Sequence, residues 1–203
     1  AAIDAKGAQH LKSIFETMLQ EQKEDSLDEK GVPRLKLDGH VMVEQADGYY
    51  AVTLPHITTL SDDGMKIEIG IIAFNIMPTD DPLQWKMTMA LPSPINVTGA
   101  KGEPVLTISI GQQYFAGVWH EKFENFLKLK AQYKNINART PDASTNIMIP
   151  DVTALYDLTE NASHRWSGPV QFTVTGLQAI MPDDGKASIS RINFLTNIID
   201  YEI

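Results

Sequence analysis

From residue 34 to the end of the chain, apolar and polar residues alternate with a period of two in one segment after another. That is the repeat of a half-buried strand, and nothing else in the sequence limits the fold as tightly. Leu35, Leu37, Gly39, Val41 and Val43 share one parity against Lys36, Asp38, His40, Met42 and Glu44. Met65, Ile67, Ile69 and Ile71 alternate with Lys66, Glu68 and Gly70, and beyond residue 71 both parities turn apolar, which predicts a stretch covered on two sides. Trp85, Met87, Met89 and Leu91 form another set, as do Leu106, Ile108 and Ile110. From Phe126 onward, Leu127, Leu129, Ala131 and Tyr133 alternate with Lys128, Lys130, Gln132 and Lys134, so strand is preferred to helix there despite the near-helical spacing of Phe115, Trp119 and Phe123. Val170, Phe172 and Val174 continue the pattern, and Ile189 with Ile192 break it as a bulge would.

The reading is roughly nine to eleven antiparallel strands joined by short turns, a number that curls or divides into two packed faces. The predicted fold is therefore mainly β: a large curved antiparallel sheet or a two-faced, sandwich-like fold, with one N-terminal amphipathic helix. Ala8, Leu11, Phe15, Met18 and Leu19 recur at helical spacing over residues 5–24 and face away from Lys12, Glu16, Gln20 and Lys23. Leu11, Phe15 and Met18 are expected to meet Ile67, Ile69, Trp85 and Met87. A chain of 203 residues buries one substantial core, so 1–203 reads as a single β-rich domain, with two similar lobes over 34–110 and 126–203 as the alternative division.

Asp62-Asp63-Gly64 and Asp183-Asp184-Gly185 each sit between two alternating segments. Calcium is the sharpest chemical reading of these acids, but an EF-hand needs spaced oxygen ligands ending in a bidentate Glu, and that pattern is absent. Hairpin turns explain them, with Asp satisfying backbone donors and Gly accepting positive φ. A similar turn is expected at residues 79–82, and two like hairpins are faint grounds for an old duplication.

Other chemistry finds no foothold. With 17 Lys+Arg against 26 Asp+Glu the formal charge is -9, so the cationic excess that nucleic-acid binding needs is missing. There is no cysteine for thiolate metal sites, nucleophiles or disulfides. His10, His40, His56, His120 and His164 form no His-Glu-x-x-His pair, and His120-Glu121 beside Trp119 reads as a pocket rim more readily than as a catalytic dyad. Ser163-His164 lacks a nucleophile-elbow setting, and Gly99, Gly102 and Gly111 make no phosphate loop. No enzyme activity, metal or cofactor is predicted. No apolar run approaches bilayer-spanning length, so no transmembrane segment is expected in this chain. The sequence opens AAIDAKGAQ, as a mature secreted chain would, and a periplasmic or extracytoplasmic location is the expectation.

What stands out is apolar: eight methionines and three tryptophans in a chain with one helix to cover its strands. An ordinary Met-containing core is the plain alternative. Methionine also lines adaptable cavities, and Trp85, Met87, Met89 and Trp119 are the candidate residues for an apolar ligand. The long alternating strands, the Asp-Gly turns and the proline-rich LPSPI at 91–95 resemble, as an arrangement over residues 34–203, bacterial envelope proteins of the AsmA or YdgA-like kind. The resemblance implies curved sheets and lipid homeostasis, and no single motif carries a binding residue across. The functional expectation is non-enzymatic binding of a lipid or acyl chain in the bacterial cell envelope. The alternative is a structural or protein-interaction domain that recruits an envelope protein partner through an exposed sheet edge.

Overall fold

The structure, a computed structural model, describes residues 3–183 and 185–202. The helix α1 spans Ala5–Asp25, with Asp4 as its N-cap accepting from the Gly7 N–H at 2.7 Å. Fourteen strands follow: β1 Leu35–Asp38, β2 Met42–Gln45, β3 Tyr50–Thr53, β4 His56–Leu60, β5 Lys66–Gly70, β6 Ala73–Pro78, β7 Gln84–Ala90, β8 Ile95–Thr98, β9 Pro104–His120, β10 Asn125–Arg139, β11 Asn146–Asp157, β12 Thr159–Glu160, β13 Arg165–Ile180 and β14 Lys186–Glu202. All belong to one antiparallel sheet whose strand path has free ends and does not close into a barrel. Among the described residues no helix is long and apolar enough to cross a membrane.

The pairing is simpler than the strand count. β7 and β8 both lie antiparallel along the same edge of β9, so together they act as one long strand with a gap at residues 91–94. β6 and β5 pair with them in the same way, β3 and β4 with those, and β2 and β1 with the last pair. The sheet is thus an up-and-down meander of nine long crossings, four of them split in two, with the short β12 flanking β13. The nine to eleven strands expected from alternation correspond to the crossings; the higher count comes from the splits.

The splits fall on one line. Gln112 pairs with Lys134, Lys134 with Asp151 and Asp151 with Thr175, so the adjacent residues Gly111, Asn135, Pro150 and Gly176 lie side by side across the long strands. On the split crossings the same line carries Gly39, Pro55, Gly70 and Pro92, each at or within a gap. Glycine stands beside proline: a Cβ on Gly70 would lie 3.5 Å from Pro92, and one on Gly176 would lie 3.2 Å from Pro150. Proline has no N–H for the ladder, and Gly70 and Gly176 adopt φ of 92° and 73°, which other residues reach only with strain.

The line changes the phase of the split crossings. In β3 the core residues are Tyr50, Val52 and, just past it, Leu54; in β4 the core residue is Ile57, of opposite parity, in the same cluster. Ile69 of β5 joins that cluster, as do Ile72, Phe74 and Ile76 around β6. A gap that shifts the alternation by one residue lets both halves of a crossing turn apolar side chains to one face. This corrects the expectation of a doubly covered stretch beyond residue 71: Ile71 is 54% exposed, and Ala73, Asn75 and Met77 face solvent. Both parities are apolar there because the phase changes, and among the described residues only the face under α1 is covered.

α1 lies over the crossings from β2 to β9. Leu11 and Phe15 are buried in one cluster with Tyr50, Val52, Ile76, Trp85, Met87 and Trp119, with Ala8, Ile14 and Leu19 packed against it. The Tyr50 hydroxyl accepts from the Asp4 N–H at 2.9 Å and occupies the space beside Gly7, where an added Cβ would come within 2.1 Å of it. The helix therefore needs glycine at this contact. Among the described residues no element covers the sheet past β10, and β14 is exposed along nearly its whole length.

Both Asp-Gly stretches join consecutive strands. Residues 61–65 connect β4 to β5, with Ser61 N–H donating to the Met65 carbonyl at 2.9 Å. Asp62 pairs with Arg34, and the Ser61 hydroxyl donates to Asp63, holding that carboxyl below its ordinary value. Residues 181–185 connect β13 to β14, with Met181 N–H donating to the Gly185 carbonyl at 2.8 Å; Asp184 lies outside the described residues. The turn expected at residues 79–82 joins β6 to β7.

Candidate functional site

The candidate site is the groove between the second half of α1 and the sheet. Strand alternation places Trp85 and Met87 of β7 on the helix side, directly opposite Trp119 and Gly117 of β9. Gly117 leaves room for the Phe126 ring of β10: a Cβ there would approach that ring to 2.6 Å. Phe126 in turn meets Phe115 edge-on at 5.4 Å, and Phe15 of the helix stacks against Phe74 at 5.3 Å. These rings, with Ile14, Met18, Met87, Met89 and Trp119, enclose a cavity of about 260 Å³ lined only by apolar side chains. That lies just under the roughly 300–1,000 Å³ common for small-molecule pockets.

Of the four residues singled out from sequence, Met87, Met89 and Trp119 line this groove, and Trp85 lies beside Trp119 with its ring turned towards the start of the helix. Trp85 also makes a polar contact, its Nε1 donating to Glu121 Oε1 at 2.6 Å, and the same oxygen lies 2.8 Å from His10 Nε2. Glu121 thus ties α1 to the sheet. His120 is turned elsewhere, buried, and its Nδ1 accepts from the Phe123 N–H at 3.3 Å. Burial pushes its imidazole below the ordinary value, Lys122 adds to that, and Asp81 and Glu121 oppose it. The two neighbours therefore act separately. Among the described residues no three His, Asp or Glu side chains gather as a metal-binding group.

Sequence reading missed Ile14, Phe74, Phe115 and Phe126 as lining residues. Phe115 carried a signal, since it shares the odd parity of Gly117 and Trp119, but Phe126 did not, because a bulge between Phe126 and Lys128 puts it out of parity with Leu129 and Ala131. Beside the groove, His10, Ser13, Thr17, Glu21, Glu121 and Glu124 form a polar mouth that shares Ile14, Met18 and Trp119 with it.

The apolar surface does not stop at the helix. Phe115 is in register with Ala131, Ala131 with Ala154, Ala154 with Phe172 and Phe172 with Phe194, one row from the groove to the last strand. Next to it Tyr133, Val152, Val174 and Ile192 form a second row. Directly opposed residues share a face, so both rows lie on the side of the sheet that bears the helix. The other side is mixed here: Gln132 is bonded to Asp151 at 2.6 Å and Thr173 to Asn193 at 2.7 Å, while Leu155 and Leu195 stand exposed in the row of Lys130 and Gln171.

No family model matches this chain, no curated protein is similar in sequence, and no solved structure matches its fold.

Proposed function

We propose that this chain binds an amphiphile with a single acyl chain, its tail in the groove under α1 and along the open apolar rows. The observation that carries the proposal is the continuity of an all-apolar groove with uncovered Phe172 and Phe194, 42% and 59% exposed, on one face of one sheet. A tail laid there removes apolar area from water on both partners, worth about 25 cal/mol per Å². Met18, Met87 and Met89 supply adaptable walls. The mouth favours an uncharged or cationic head group, because Glu21, Glu121 and Glu124 border it and would repel a carboxylate.

The test is titration of the whole chain with monolaurin and, separately, with laurate, followed by native mass spectrometry. Saturable one-to-one binding with monolaurin ahead of laurate is expected. Met89→Lys, which sets a charge in the groove wall, should abolish binding while the circular-dichroism spectrum stays unchanged. Failure of both amphiphiles to bind, or binding that Met89→Lys leaves intact, would overturn the proposal.

A further inference from the structure

The sheet's two margins are built differently. On the first, β1 and β2 are four-residue pieces separated by a gap, with α1 packed beside them. On the last, β14 runs for 17 residues and pairs, among the described residues, with β13 alone. At about 3.3 Å per residue it offers roughly 56 Å of edge, and half of its backbone donors and acceptors point outward. Edges that must stay single are broken, covered, or studded with charge and proline. Between Ala187 and Ile199 this one has no proline and only Arg191 as a charge. Its remaining charges are at the ends: Lys186 at one, Asp200 and Glu202 at the other.

We infer that β14 pairs with β14 of a second copy of this chain, antiparallel about a two-fold axis at the middle of the strand, by Asn193 and Phe194. The end charges specify the orientation. β14 carries a bulge at Ile199–Asp200, which puts its last residues one out of regular register; with the axis by Asn193 or Phe194, Lys186 of each copy comes beside Asp200 and Glu202 of the other. A parallel alignment would set like ends together. Both acids are available to a partner: Glu202 meets Arg165 at 3.5 Å in an exposed pair, and Asp200 accepts only from Asn161 at 3.1 Å among described side-chain donors. With the axis at Phe194, Ile189 comes beside Ile199 and Ile192 faces Thr196, which shields side chains now 45%, 77% and, for Ile192, 44% exposed. About one backbone hydrogen bond per residue would form along the shared edge. The pairing also joins the apolar rows ending at Ile192 and Phe194 to their symmetry mates, doubling the open face.

The test is sedimentation velocity on the full chain across a dilution series from roughly 100 μM to 0.1 μM, within the range expected for specific pairs. A species of twice 22.5 kDa, about 45 kDa, is expected at the upper end. Phe194→Lys brings two ammonium groups together at the axis and should raise the dissociation constant at least about tenfold without altering the circular-dichroism spectrum. Lys186→Glu should raise it about threefold, and combining it with Asp200→Lys and Glu202→Lys should restore it to within about twofold of the unmodified chain. A monomer at every concentration, a dimer indifferent to Phe194→Lys, or a triple variant as weak as Lys186→Glu alone would overturn the inference.

Discussion

The half of the sheet under α1 and the half beyond it follow the same strand grammar and end in opposite states. Ile76 in β6 and Phe172 in β13 are both large apolar residues on the helix side of their strands, yet Ile76 is fully buried and Phe172 is 42% exposed. Each has apolar cross-strand neighbours: Ile76 sits between Tyr50 and Met87, Phe172 between Ala154 and Phe194. The difference is the layer above. Strand pairing sets which residues share a face, whereas burial depends on whether a second element covers that face. One helix of 21 residues, about 32 Å long at 1.5 Å per residue, reaches across only part of nine crossings. The remainder is the uncovered apolar surface on which the proposed binding rests.

The largest contrast should come from truncating these same two residues. Ile76→Ala empties a packed site and is expected to lower unfolding stability by about 3–4 kcal/mol, while Phe172→Ala, already wet, should cost about 1 kcal/mol or less. Urea denaturation of both variants measures this. Equal losses would mean that a second layer covers both halves. Next in size is Gly7→Ala, in which the new methyl meets the Tyr50 hydroxyl and pushes the start of α1 off the sheet. A loss of about 2 kcal/mol is expected, together with raised Trp85 exposure seen by acrylamide quenching. Tyr50→Phe in the same chain should recover part of it by removing the obstructing oxygen.

The line of phase change gives a smaller effect. Gly176→Ala forces a methyl-bearing residue into positive φ against Pro150, and about 1–2 kcal/mol of destabilisation is expected from thermal or chemical unfolding. Loss of the same size from Gly70→Ala, in the covered half, would show that the line acts as one device across the sheet. The smallest effect is a pH limb from His120, which belongs to the covered half. Its folded pKa is depressed, so below the unfolded value of about 6.5 the unfolded chain takes up a proton that the folded chain refuses. Its contribution is whole above that pH and declines as pH falls from about 6.5 towards the folded value. His120→Gln should flatten that limb in denaturation midpoints measured between pH 7.5 and 5.

Much of this was legible in the amino acids. Period-two alternation located most of the crossings, though not the second half of β9, where Phe115 and Trp119 have near-helical spacing, and the one-sided spacing of Leu11 and Phe15 located the helix almost to its ends, because both signals are local. The line of phase change was not legible. Gly39 and Gly70 read as ordinary members of an alternation and Pro92 as part of a proline-rich stretch, and only the register of neighbouring strands aligns them with Pro55 and Gly176. Ile71 misled for that reason. Trp85, Met87 and Met89 could be grouped because β7 keeps strict parity, and Trp119 was added only as a large apolar residue; Phe126 escaped because a bulge precedes Lys128. The extent of cover was illegible in principle, since a strand that will be bare carries the same alternation as one that will be buried.

The row Ala131, Ala154, Phe172 allows the most direct test, because the chain contains no cysteine and each position can be replaced by a single reporter thiol. The row leaves the helix-covered half step by step, from Ala131 at 4% exposure to Phe172 at 42%. Thiol-labelling rates measured on the native protein should rise in that order, with the Phe172→Cys variant at least about tenfold faster than Ala131→Cys, whose thiol must await an opening fluctuation. Equal, slow labelling at all three positions would show the apolar face to be covered from end to end and would contradict the account.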